Sequence, residues 1–157
     1  FEEICKKNSR AKLIILGDGE QRKEFEKYLK KNNLQNNIFL EGYKSNVYEY
    51  LVNSKAFILS SLWEDPGFVL VEAAYANTPI ISSDCNNGPN EFLLNGKGGI
   101  LFKKDKKNEL NASLNFFDNL SKNKKDLMRL NAKKNCIKYT LLRHHNCLRE
   151  ILNFNLS

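Results

Sequence analysis

SSLWEDPGFVLVEAAYANTPIISSD, residues 60–84, holds a turn, a helix and a strand in that order. The polar turn EDPG at 64–67 is followed by Phe68, Val69, Val71, Glu72 and Ala73, a spacing that suits a helix. TPIISS then supplies a short β-branched run that stops at Asp84, and AFILSS at 56–61 is a run of the same kind just upstream. Strand, turn, helix, strand within so few residues is a βαβ unit.

The same alternation continues on both sides. Apolar runs rich in β-branched or aromatic residues occupy 12–16, 38–40, 56–60, 79–82 and 99–102, with centres about 20 to 25 residues apart. Helical spacing fills the gaps, as in GEQRKEFEKYLKK with Phe25 and Leu29, and in Val47, Tyr50 and Leu51. The runs are apolar throughout instead of alternating, which predicts an α/β fold: a Rossmann-like parallel sheet with right-handed crossovers, covered by helices on both faces. Turns close the strands at GDGE (17–20), EGY (41–43), EDPG (64–67) and CNNGP (85–89), and such loops lie at the carboxyl ends where open α/β sheets bind ligands. Beyond Phe102 the pattern becomes two helices, 108–119 and 124–152. The whole of 1–157 is read as a single domain, in keeping with its length.

Composition limits the function classes. With 41% hydrophobic and 11% aromatic residues the chain can bury a core, and no apolar run approaches the ~20 residues of a membrane span. The net charge of +7 is unevenly spread: residues 1–102 carry 12 basic and 13 acidic side chains, residues 103–157 carry 13 and 5. This Lys-rich tail, interleaved with Asn, reads as a solvated face, with no nucleic-acid partner and only weak peripheral contact with anionic membrane expected. Cys5, Cys85, Cys136 and Cys147 form no CxxC pair and read as free thiols of a reducing compartment. His144 and His145 are adjacent, so on a helix they diverge by about 100° and cannot share an ion; no metal site is expected.

The chemistry concentrates around Glu64 and Glu72, separated by seven residues. Gly67 stands where the helix would start, and the N–H groups of Gly67, Phe68 and Val69 would face an anion such as phosphate at the positive end of the helix dipole. Helical side chains lean toward the N-terminus, so Glu72 would reach back to the same spot and accept from both hydroxyls of a ribose. Glu64 would accept from the hydroxyls of a second polyol beyond the phosphates. Asp18-Gly19-Glu20 superficially offers a DxE metal motif, but it reads as a turn in which Asp18 caps the next helix.

These residues resemble the C-terminal, donor-binding domain of GT-B glycosyltransferases of family GT4, the group 1 glycosyl transferases. The family's E-x7-E signature matches Glu64 and Glu72 with its internal glycine at Gly67. LIILGDGE (13–20), IFLEGY (38–43), AFILSS (56–61) and NGPNEFLLNGKGGILF (87–102) follow the family pattern in order and spacing. The resemblance implies a retaining, metal-independent transfer of sugar from a nucleoside-diphosphate sugar to a glycan or lipid-linked acceptor, with no cofactor besides that co-substrate. It implies that Glu72 binds ribose and that Glu64, the catalytic assignment, holds the donor sugar. The backbone around Pro66, Gly67, Phe68 and Val69 would contact sugar or diphosphate. Gly42, Tyr43 and Lys44 would line the base pocket, Gly17 and Gly19 would lie near the donor, and Gly88, Pro89 and Glu91 would shape the opposite wall.

Two departures from the family pattern follow. Pro66 stands where many members carry an aromatic residue, and the Arg and Lys that neutralise the diphosphate come from a segment expected before Phe1. The chain is therefore read as a fragment lacking the N-terminal acceptor domain, weak in donor binding and inactive alone. A cytoplasmic location at or near the inner membrane face, in cell-envelope polysaccharide synthesis, is the family's generic expectation. A sugar-nucleotide epimerase of the same architecture and a non-catalytic interaction module that keeps the fold remain alternatives.

Overall fold

The computed structural model describes residues 1–65, 67–106 and 108–154. Five strands alternate with helices: α1 (Glu2–Lys7), β1 (Leu13–Leu16), α2 (Arg22–Lys31), β2 (Ile38–Gly42), α3 (Val47–Val52), β3 (Phe57–Leu59), α4 (Phe68–Tyr75), β4 (Ile80–Ser83), α5 (Pro89–Phe92) and β5 (Ile100–Phe102). The helices α6 (Glu109–Asn119), α7 (Lys122–Asn135) and α8 (Leu141–Phe154) complete it, with a 3₁₀ turn at Cys136–Tyr139. All five apolar runs are strands, and every pairing between them is parallel. The chain divides into two compact units, Phe1–Val47 and Tyr48–Ser157.

In the first unit β1 and β2 pair with Leu13 opposite Ile38 and Ile15 opposite Leu40, and the register shifts at Leu16, which faces Gly42. Leu29, Leu34 and Ile38 are buried, with Phe1, Cys5, Leu13, Ile15 and Leu40 packed on them. α2 thus turns Leu29 inward and leaves its Lys and Glu residues in water, as the amphipathic pattern requires.

In the second unit the strand order is β3-β4-β5. β4 is buried along its whole length. Side chains alternate across a strand, and Ile81 joins Ile100, Phe102 and Phe117 in one cluster, with Leu110, Leu114 and Met128 packed on it from α6 and α7. Ile80 and Ser82, pointing the other way, are buried as well, so both faces of the strand are covered. α4 packs against β4, α7 and the 3₁₀ turn, with Leu70, Ala73 and Ala74 removed from solvent. Two buried polar side chains find backbone partners: Thr78 Oγ1 donates to the Leu51 carbonyl at 2.7 Å, and Asn135 Nδ2 donates to the Phe92 carbonyl at 2.8 Å.

The helix expected over 124–152 is instead two, α7 and α8. After Cys136–Tyr139 tightens into a 3₁₀ turn, Thr140 is extended, at φ −83° and ψ 149°. Its Oγ1 accepts from the Arg143 N–H at 3.3 Å, which is N-cap geometry for α8. Apolar periodicity runs straight through this point, and only the hydroxyl of Thr140 marks the stop.

β5 approaches β4 closely enough that Gly99, the residue just before it, has no room for a side chain. A Cβ on Gly99 would lie 2.7 Å from the Ile80 carbonyl oxygen and 3.1 Å and 3.2 Å from the Leu93 methyls. Backbone cannot yield as a flexible side chain does, so Gly99→Ala is expected to cost about 2–3 kcal/mol, read as a lowered urea midpoint with an unchanged m-value.

Candidate functional site

Gly67 is the N-cap of α4 and lies in the left-handed region, at φ 78° and ψ 51°, with no side-chain hydrogen bond capping the helix. The Leu70 N–H donates to the Gly67 carbonyl at 2.9 Å, and the N–H groups of Phe68 and Val69 have no partner within the helix. Phe68, its first residue, is 60% exposed and Val69 is also exposed. A Cβ at Gly67 would lie 3.3 Å from Glu64 Oε2 and 3.5 Å from Glu64 Cβ and Cγ. The Glu64 side chain therefore lies against Gly67. Glu72 stands one turn into α4 and is exposed. Among the described residues neither carboxylate has an ion-pair partner, which leaves both able to accept hydrogen bonds from a ligand. Pro66 lies outside the described residues.

The other candidates of this unit follow β4. Gly88 caps α5 with Pro89 at its first turn, and Asn90 Nδ2 donates to Asp84 Oδ1 at 3.0 Å. Glu91 is exposed. Tyr139 packs edge-on against Phe92 at 5.2 Å between centroids, and burial, then the Glu91 charge, pushes its phenol above the ordinary range.

The first unit holds a separate group. The Gly17 N–H donates to the Gly42 carbonyl at 2.8 Å, so the turns after β1 and β2 are in direct contact. Tyr43 is 83% exposed, and Lys44 Nζ pairs with Glu41 Oε2 at 3.1 Å. Asp18 differs from its expected role: its Oδ1 accepts from the Gly19 N–H at 2.9 Å, while Gln21 occupies the N-cap of α2 without a side-chain bond. The short Asp side chain closes on its nearest amide before the helix begins.

Sequence reasoning passed over Arg22. Its Nη2 donates to the Leu40 carbonyl at 2.9 Å, its Nε to Glu26 Oε1 at 3.0 Å, and Nη1 lies 3.8 Å from Asp18 Oδ1. One guanidinium so ties the turn after β1 to the end of β2. The i, i+4 spacing to Glu26 was readable as a helix pair, but the carbonyl 18 residues away was not.

The family of glycosyl transferases group 1 matches this chain over residues 1–135. The chain belongs to that family. An uncharacterised glycosyltransferase of Methanocaldococcus jannaschii is 44% identical over 93 residues, 59% of this chain and 23% of the relative. A 2-deoxystreptamine N-acetyl-D-glucosaminyltransferase of Niallia circulans is 37% identical over 102 residues, 64% of this chain and 26% of the relative. The chain thus spans about a quarter of the curated relatives it matches. Among solved structures, S. aureus TarM crystallised with fondaparinux, alpha-GlcNAc-glycerol and UDP superposes with a TM-score of 0.83 at 26% identity, over 99% of this chain and 31% of TarM. The parallel sheets flanked by helices are those of the C-terminal domain of GT-B glycosyltransferases.

The left-handed cap gives the chain a stability signature. Gly67→Ala is expected to cost about 1–2 kcal/mol, because an L side chain is strained there and meets Glu64. Gly19→Ala, where nothing lies within 4 Å, is expected to change stability by under about 0.5 kcal/mol. Urea denaturation of the two variants beside wild type measures both.

Proposed function

We propose that the chain is the donor-binding part of a retaining, metal-independent glycosyltransferase that takes its sugar from a nucleoside diphosphate. The observation that carries this reading is the start of α4, where the glycine cap leaves the Phe68 and Val69 N–H groups without a helical partner, the Glu64 side chain lies against Gly67, and neither Glu64 nor Glu72 is ion-paired among the described residues. The donors and the helix dipole suit the diphosphate, and the carboxylates suit the hydroxyl-rich groups on either side of it. Glu72 accepts from the ribose diol, and Glu64 orients the transferred sugar.

Catalysis in this reading is orientation of the donor together with electrostatic stabilisation of the leaving diphosphate. Two carboxylates beside a diphosphate leave an excess of negative charge that a helix terminus of about half a charge does not balance, so cations from elsewhere must complete the site. The acceptor is a glycan or a lipid-linked sugar, and the setting is cell-envelope polysaccharide synthesis on the cytoplasmic side, with at most weak membrane contact. The relatives named for N-acetylglucosaminyl transfer and the UDP held by TarM make UDP-sugars the first donors to test.

The ribose assignment is tested by calorimetric titration. Glu72→Gln is expected to weaken UDP binding by about 1.5–3 kcal/mol, the range for a hydrogen bond to a charged group, with the fold unchanged. Wild type is expected to bind 2′,3′-dideoxyuridine diphosphate much more weakly than UDP, and the variant to lose that preference. Equal discrimination by both proteins removes Glu72 from the ribose.

A further inference from the structure

We propose that Lys104 is the positioning residue for Glu64, an inference that rests on the donor-sugar role given to Glu64 above. The loop from β3 to α4 carries Glu64, yet its side chains do little to hold it. Leu62 is 70% exposed and Trp63 60% exposed, so burial contributes little to its placement. Three polar anchors hold its backbone instead. Ser83 Oγ donates to the Ser61 carbonyl at 2.6 Å, Lys104 Nζ donates to the Leu62 carbonyl at 2.9 Å, and the Glu64 N–H donates to the Asn86 carbonyl at 3.4 Å.

The three anchors are unequal. The Asn86 contact is at the long limit for a hydrogen bond and so weak. Ser83 grips the loop three residues before Glu64, close to where it leaves β3. Lys104 grips it two residues before Glu64 with a charged donor, the stronger type. Lys104 also stands on firm ground, two residues past β5, whose Phe102 carbonyl accepts from the Asp84 N–H at 2.7 Å. Among the described residues no carboxylate pairs with Lys104, so its ammonium is not drawn away from Leu62. Without it, residues 62–64 keep only the Ser83 bond upstream and the isolated parallel bridge of Trp63 to Asn86, whose Glu64 N–H contact is long. Their backbone regains freedom and the Glu64 carboxylate spreads over more orientations.

The chain has a single tryptophan, and it is Trp63, between the anchored Leu62 and Glu64. Its fluorescence anisotropy decay reads this loop directly and needs no activity. In Lys104→Gln the amplitude of the nanosecond decay is expected to rise about twofold with an unchanged circular dichroism spectrum. Lys104→Arg is expected to restore the wild-type decay, and Lys103→Gln, one residue away, to leave it unaltered. Titration with UDP and with UDP-N-acetylglucosamine and UDP-glucose supplies the second readout. Lys104→Gln is expected to leave UDP affinity within about twofold and to lower UDP-sugar affinity about three- to tenfold, because Glu64 touches the sugar and not the nucleotide.

A wild-type decay in folded Lys104→Gln overturns the proposal, and so does an equal loss of affinity for UDP and UDP-sugars, which marks a general structural defect. Should Lys104→Gln not fold, a Lys104→Arg chain with a mobile Trp63 overturns it as well. Failure of the wild-type chain to bind UDP or any UDP-sugar counts against the function proposed above, and the Trp63 decay then decides Lys104 by itself.

Discussion

β4 lies between β3 and β5 with both faces covered, and a strand so placed cannot carry an unpaired polar group without a cost of about 1–3 kcal/mol each. Its sequence nonetheless ends in two serines, both fully buried. Ser82 Oγ donates to the carbonyl of its neighbour Ser83, and Ser83 Oγ donates to Ser61 across the loop that leaves β3. The demand for a partner at the end of a buried strand thereby fastens the loop that bears Glu64. From that constraint the placement of the site follows: the same packing that hides Ile80 and Ile81 sets the chain's carboxyl-end loops and orients α4 at its N-terminus.

The electrostatics of the site are the reverse of those of the chain. Around Gly67 the near charges are Glu64 and Glu72, while the excess of lysine lies beyond Phe102. Part of that excess is used locally. Lys125 lies over the Phe117 ring at 4.6 Å, and its Nζ donates to the Asp118 carbonyl at 3.3 Å. Lys122, Lys124, Lys133 and Lys134 are exposed along α7 and act as its solvated face. Lys104 is the exception, a tail lysine spent on the backbone of the Glu64 loop.

Much of the architecture was legible because it depends on local pattern. A continuous apolar run of four or five residues can be hidden only in a sheet covered on both faces, and a turn with glycine or proline must end it. All five strands and the start of α4 at Phe68 follow from that logic. The break at Cys136–Tyr139 was not legible from periodicity, since Ile137 within it and Leu141 after it keep the apolar spacing. Nor was the local role of Asp18, which had two nearby amides to choose between.

The order of strands and helices, the E-x7-E pair on a turn and a helix, and the family to which these belong can be read along the chain, because each is written in residues close together. What Glu64 rests on came from long-range packing. It folded that side chain over a left-handed Gly67, paired Ser83 with Ser61, brought Lys104 across 42 residues to Leu62, and Arg22 across 18 residues to Leu40. Those contacts join backbone carbonyls, which every residue carries, to donors distant in sequence, and no side-chain pattern marks which carbonyl a buried or charged donor will find.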